Sequence, residues 1–255
     1  MSQILNHKIL GEGQPLIILH GLFGSLDNWM TLAKRFAEDF KVVLVDQRNH
    51  GKSFHSEKFD YQKMAEDLEN LIDFLKIDNP ILLGHSMGGK TVMQYAAYHS
   101  HTIDKLIVAD IGTKQYPVHH QQIIEGLKSV RLSEMTKREE VDQALQSYIP
   151  ELGTRVFLMK NLGRDSSGGF VWKMNLDEIS ENIEEVGKPL DYYLPIETPN
   201  LFIRGGQSSY ILDTDFDSIS EIFPNVQFET IEGSGHWLHA DNPDQFYEIV
   251  MNFLS

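Results

Sequence analysis

Ile81-Leu82-Leu83-Gly84-His85-Ser86-Met87-Gly88-Gly89-Lys90-Thr91 decides how the rest of the chain is read. An apolar β-rich run leads into a glycine-flanked serine, and helical spacing then continues to Tyr98. Strand, abrupt turn and helix is the context in which G-x-S-x-G forms a nucleophile elbow, where the turn strains the serine backbone and lifts its hydroxyl above the sheet end. Gly84 and Gly88 are required because a side chain at either would collide with the neighbouring strand or helix. The same letters also satisfy G-x-x-x-x-G-K-[ST] through Gly84, Gly89, Lys90 and Thr91, a phosphate-cradling loop. Leu106 to Asp110 could then serve as its Mg²⁺-holding strand. The remaining segments have to separate the two readings.

Short apolar runs recur on both sides of the elbow. They predict strands at Leu16–Leu19, Val42–Val45, Ile81–Leu83, Leu106–Ala109, Leu201–Ile203 and Val226–Ile231, with an antiparallel edge hairpin around Ile4–Leu10. The second to fourth are almost wholly apolar, as parallel strands buried on both faces must be. Helical patterns fall at Trp29–Phe40, Tyr61–Leu75, Lys90–His99, Phe216–Phe223 and Pro243–Leu254. Such alternation implies an α/β fold, a doubly wound and mostly parallel sheet. The rhythm breaks after Ile111. Helical spacing at Ile123–Val130, Arg138–Ile149 and Leu176–Val186, a loop at Gly163–Gly169 and three prolines before the sheet resumes predict a helical cap over 112–196, inserted into a core of 1–111 and 197–255.

The 255 residues, 41% of them hydrophobic, suffice for one α/β domain of this size. With 22 basic against 37 acidic residues the formal charge is −15, which disfavours nucleic acid and anionic lipid surfaces as partners. The lack of cysteine excludes disulfides, thiolate zinc sites and a cysteine nucleophile. Met1 to His7 has neither the basic stretch nor the apolar core of a secretory signal. No apolar run approaches the roughly 18 residues of a membrane span, so a cytoplasmic protein is expected.

His20-Gly21-Leu22-Phe23-Gly24 ends the first strong strand, where a backbone N–H, that of Leu22, can face a developing oxyanion with the N–H of Met87 as its partner. Asp46-Gln47-Arg48-Asn49-His50-Gly51-Lys52-Ser53 reads as bracing, with a strand-end carboxylate and an arginine joining neighbouring loops. After the last strand, Gly233-Ser234-Gly235-His236-Trp237 can deliver an imidazole to the serine as general base. His239 makes a metal pair with His236 conceivable, but no third ligand stands at a sensible spacing. The orienting carboxylate has three candidates: Asp110 first, at the end of the strand after the elbow helix, then Asp177, then Asp213. Phe23, Trp172 and Trp237 are candidate substrate contacts. Phe157, Leu158, Met159, Phe170 and Met174 line an acyl pocket or form the cap's own core.

His20–Trp29, Asp46–Ser53, Gly84–Lys90, Leu106–Ile111 and Gly233–Pro243 together resemble the α/β-hydrolase superfamily, and within it the small bacterial YbfF-type esterases and their mitochondrial relatives. The resemblance covers nearly the whole chain, more closely in the sheet than in the cap. It implies an esterase or thioesterase acting on small to medium acyl groups of a small-molecule substrate, without a cofactor or metal. It also favours Asp110 as the acid beside Ser86 and His236. The phosphate-loop reading leaves the His20, Asp46 and His236 clusters unexplained and puts its loop after three strand units. Two other readings stand: a ligand-binding receptor on a hydrolase fold, and C–C cleavage or lyase chemistry with the same serine. The latter calls for a basic pocket, for which Arg131, Arg155 and Lys160 are available.

Overall fold

The computed structural model describes residues 3–118, 120–190 and 195–255. Seven strands among them form one sheet: β1 (His7–Leu10), β2 (Gln14–Leu19), β3 (Phe40–Val45), β4 (Ile81–His85), β5 (Lys105–Ala109), and, after a long insertion, β8 (Asn200–Gly205) and β9 (Val226–Ile231). Their spatial order is β1-β3-β2-β4-β5-β8-β9, with β1 antiparallel to β3 and every other pairing parallel. Alternate residues of each strand point to opposite faces. Ile17, Leu19, Val43, Val45, Leu82 and Val108 therefore join one buried cluster, while Leu16, Ile18, Val42, Leu44, Ile81, Leu83 and Ile107 join the other. On the first face lie α2 (Tyr61–Leu75) and α3 (Met87–His99). On the second lie α1 (Met30–Phe36) and α11 (Pro243–Leu254), which contribute Phe36, Phe246 and Val250. Two-sided covering explains why these strands read as continuous apolar runs.

Register lines up the carboxyl ends of the strands. Leu19 pairs with Gly84 and His85 with Ala109, so His20, Ser86 and Asp110 leave the sheet at one edge. Ser86 itself sits at φ 53°, ψ −118°, outside the regions a side-chain-bearing residue normally occupies. The chain tolerates this because the turn is packed to contact. A Cβ on Gly84 would lie 2.2 Å from Gly88 O, and one on Gly88 would lie 2.5 Å from Leu19 O.

Between β5 and β8 the described residues carry α4 (Gln121–Ser129), α5 (Arg138–Gln146), α6 (Leu152–Leu158), α7 (Leu176–Glu181), α8 (Ile183–Gly187) and a two-stranded ladder of β6 (Leu162–Arg164) with β7 (Phe170–Trp172). The remaining helices, α9 (Phe216–Ile222) and α10 (Leu238–Asp241), flank β9. Met1, Ser2, His119 and Asp191–Leu194 fall outside the described residues, so the expected cap limits of 112–196 are described only in part.

Several expected elements differ. Ile4–Leu10 is no hairpin: β1 is a single strand whose partner is β3, because both sides of β2 are taken by β3 and β4. The helix expected over Trp29–Phe40 stops at Phe36, where the Asp39 and Glu38 N–H groups close a turn and Phe40 begins β3. The expected Leu176–Val186 helix breaks at Asn182, whose side chain donates to Glu178 O and ends α7. In Gly163–Gly169 only 165–169 is a turn, closed by the Asp165 N–H on Gly169 O, since Gly163 and Arg164 belong to β6 and pair with β7.

Overpacking a close backbone approach costs about 1–3 kcal/mol or more. Gly88→Ala should therefore lower the denaturant midpoint markedly or block folding. Gly153→Ala, in α6 with no atom within 4 Å of the added methyl, should leave stability unchanged or raise it by about 0.4–1 kcal/mol. Equal effects in parallel urea titrations would contradict this account of the elbow.

Candidate active site

Four chain segments meet above the carboxyl edge of the sheet. Ser86 starts α3, and its hydroxyl lies 2.9 Å from Nε2 of His236, which is carried by the loop after β9. Nδ1 of the same ring is 2.7 Å from Asp110 Oδ2 at the end of β5. A carboxylate can only accept, so Nδ1 holds the proton and Nε2 is free to accept from the serine. Asp110 is fully buried, in the left-handed region at φ 51°, and takes two further hydrogen bonds: Gly205 N–H at 3.0 Å on Oδ1 and a short one from Ser208 Oγ on Oδ2. The arrangement pairs a hydroxyl, a base and an orienting carboxylate in a chain.

The other candidate acids are elsewhere. Asp177 is 84% exposed and pairs with Lys128, while Asp213 is 82% exposed and pairs with Arg204. Neither reaches His236.

Around the imidazole the packing is dense. Tyr210 stacks on it at 3.9 Å between centroids and 16° between planes. Beneath, His85 Nε2–H donates to the His236 carbonyl at 2.7 Å. His239, weighed from sequence as a metal partner of His236, is buried and stacked on Trp29 at 4.3 Å.

Two backbone amides, on residues that share a cavity lining with Ser86, are unspent. Among the described residues neither Leu22 N–H nor Met87 N–H has an acceptor, whereas the adjacent Phe23 N–H is held by His50 Nε2 at 3.1 Å. Met87 is also the first residue of α3, where the helix dipole is positive. The turn bearing Leu22 is fixed from behind. Gln47 N–H donates to His20 Nε2 at 3.0 Å, Gln47 Nε2 donates to His20 O at 2.6 Å, and Thr91 Oγ1 donates to Gln47 Oε1 at 2.9 Å. Asp46 accepts from Leu26 N–H, Lys52 N–H and Asn6 Nδ2, and Arg48 grips Asp67 through two bonds of 2.6 and 2.9 Å. The Asp46–Ser53 segment thus braces loops, as its composition predicts.

Two cavities open at Ser86. The larger, about 240 Å³, is lined by Phe23, Ile123, Phe157, Leu158, His236 and Trp237; the smaller, about 20 Å³, by Tyr61, Met87, Ile111, Tyr116, Val186 and Gly187. Leu22, His120 and Tyr210 touch both. Phe23 and Trp237 are therefore at the site. Trp172 is not: it lines neither cavity, and its Nε1–H donates to Leu127 O inside the insertion. Arg155 is likewise internal, bonded to Asp142, Ile149 O and Pro150 O, and Arg131 and Lys160 line neither cavity. Sequence reasoning missed Ser208, Tyr210 and His85. Ser208 and Tyr210 stand in an ordinary polar loop, and nothing in their spacing marks them.

A nucleophile elbow on a doubly wound sheet, with its histidine after the last strand, defines the α/β-hydrolase fold. The chain belongs to that family. The family model for the alpha/beta hydrolase fold matches residues 14–129. The chain is 33% identical to esterase YbfF of Escherichia coli, covering 96% of this chain and 94% of that protein. It is 36% identical to the sn-1-specific diacylglycerol lipase ABHD11 of Mus musculus, over 94% of this chain and 80% of that one. Among solved structures, a marine microorganism esterase superposes with a TM-score of 0.96 at 42% identity, covering 99% of this chain and 100% of that one. Among the described residues no helix is long and apolar enough to cross a membrane.

Burial holds four histidines below their ordinary pKa: His20 at about 4, His50 and His239 at about 3, and His85 well below the usual value. Each is neutral in the fold, and its unfolded counterpart takes up a proton below about 6.5. The unfolded state then binds more protons, so stability is full above that value and falls as pH drops towards 4. Melting temperature should decline by several degrees between pH 7 and pH 5, and less steeply in His50→Gln. A flat profile in differential scanning calorimetry would contradict the neutral assignment.

Proposed function

We propose that this protein is a serine esterase or thioesterase that hydrolyses small-molecule acyl esters through an acyl-enzyme. The observation carrying this reading is the hydrogen-bonded chain Ser86–His236–Asp110, with links of 2.9 and 2.7 Å. In the first step His236 Nε2 removes the Ser86 proton as Oγ attacks the carbonyl. Negative charge develops on the carbonyl oxygen against Leu22 N–H and Met87 N–H, two donors already fixed and unspent. The imidazolium, steadied by Asp110, returns its proton to the departing oxygen or sulfur. Water then repeats the sequence on the acyl-enzyme and releases the acid. No step calls on a cofactor.

The two cavities give the reading a direction. The leaving group must lie beside the imidazole that protonates it, and His236 and Trp237 line only the larger cavity. The acyl chain then occupies the smaller one, whose about 20 Å³ holds little more than an acetyl-sized group. Residues 112–196 act in this reading as a cap, supplying Phe157 and Leu158 to the leaving-group side and Val186 and Gly187 to the acyl side. Among the described residues neither lining carries an arginine or lysine, which favours ester hydrolysis over the anionic substrates that C–C cleavage or lyase chemistry requires.

A fluorophosphonate probe should label the wild type and not Ser86→Ala. Hydrolysis of p-nitrophenyl acetate should fall on the order of 10⁴-fold in Asp110→Asn, with Asp177→Asn and Asp213→Asn near wild type. Labelling without turnover of any ester would instead support a receptor. Among acetates, enlarging the alcohol should be tolerated, whereas lengthening the acyl chain should reduce kcat/KM.

A further inference from the structure

The lysine of the Gly-Gly-Lys-Thr run has no part in the chemistry above, yet its surroundings are unusual. Lys90 is among the largest fully buried side chains and lies one helical turn beyond Ser86, with its N–H bonded to Ser86 O at 3.0 Å. Among the described residues no carboxylate pairs with its ammonium. Nζ donates instead to two backbone carbonyls, Lys114 O at 3.1 Å and Lys188 O through a short bond. The faces of Tyr61 and Tyr116 complete the cage, with Nζ 5.6 and 5.0 Å from their ring centroids. Burial lowers its pKa to about 8.

Those two carbonyls belong to opposite ends of the insertion. Lys114 lies on the stretch that leaves β5 and Lys188 on the stretch returning from α8. The same groups are cross-tied nearby: Tyr116 N–H to Gly187 O at 2.8 Å, Tyr61 OH to Val186 O at 2.7 Å, and Tyr116 OH to Tyr210 O at 2.7 Å. Tyr61, Tyr116, Val186 and Gly187 are also walls of the smaller cavity beside Ser86. An apolar side chain of equal length would fill the space, but only a multi-proton donor can bond both carbonyls at once.

We infer that Lys90 is a positioning residue whose ammonium latches both ends of the 112–196 insertion to the elbow helix and thereby sets the wall of the smaller cavity. Its consequence for selectivity rests on the esterase reading, in which that cavity takes the acyl group; the latch itself does not.

Hydrogen exchange read by mass spectrometry tests the latch in wild type, Lys90→Met and Gly187→Ala. The last keeps Lys90 but puts a Cβ 2.5 Å from Tyr116 O, forcing the two stretches apart. Amides of 112–118 and 183–190 should exchange roughly tenfold faster in both variants, with those of β4 unchanged. In both, the preference for p-nitrophenyl acetate over the octanoate should drop about fivefold, through KM rather than kcat. Protection equal to wild type, or uniform acceleration across the whole chain, overturns the latch. If Lys90→Met does not fold, Gly187→Ala decides alone, and unchanged exchange there is equally fatal. A wild type that hydrolyses no ester sinks the esterase reading, while the exchange result still decides the latch.

Discussion

A carboxylate with no exposure to water governs how this molecule is assembled above its sheet. An ionised group buried to that degree is costly unless each lone pair finds a donor. Asp110 finds its donors on two segments: the Gly205 N–H that ends β8 with the Ser208 hydroxyl in the loop that follows, and the His236 ring after β9. Satisfying one side chain therefore docks two loops onto the end of β5. The imidazole so placed meets Ser86, which the close packing of Gly84 and Gly88 has already raised to the same height. Stability and reactivity share one set of contacts. The left-handed backbone at both Ser86 and Asp110 is strain kept in place by what surrounds it.

The sheet was legible because its physics is one-dimensional. Strands covered on both faces must be apolar at every position, and a local run such as Ile81–Leu83 or Leu106–Ala109 displays that directly. The elbow was legible for a similar reason in part: Gly84 answers a contact with Gly88 four residues on, whereas Gly88 answers Leu19 on the neighbouring strand. The insertion obeys no such rule. Its short helices bury against one another and against the core, so Asn182 can end one and Gly163 can sit in a strand without breaking any pattern visible in the chain. Trp172 illustrates the difference: its size and aromaticity suit a pocket wall, but its N–H is spent on Leu127 O within the insertion. Asp110 was separable from Asp177 and Asp213 only by strand order, which local spacing does not contain. Ser208 and Tyr210 depend on a loop fold that nothing in their neighbourhood encodes.

The phosphate-loop pattern fails on direction rather than on composition. A lysine serving phosphate must extend towards the mouth of the loop, over amides left free to bind oxygen. Here Lys90 turns inward to the carbonyls of Lys114 and Lys188, and Thr91 spends its hydroxyl on Gln47 and Met87 O.

Histidine content shows how burial sorts identical side chains into different work. His20, His50, His85 and His239 lie where water does not reach, and desolvation keeps them neutral: the first three as fixed acceptors or donors that hold a turn, an amide or a carbonyl, and His239 as a ring stacked on Trp29. His236 alone combines partial exposure with a buried carboxylate, its side chain 22% accessible and its partner not at all. In the proposed reaction that ring gains a proton from Ser86 while Asp110 and the Tyr210 face hold its orientation. His20, His50 and His85 cannot do this without breaking the bonds that hold them, and His239 faces Trp29 rather than a hydroxyl. The difference between a brace and a base is therefore set by which ring nitrogen is left facing a mobile proton.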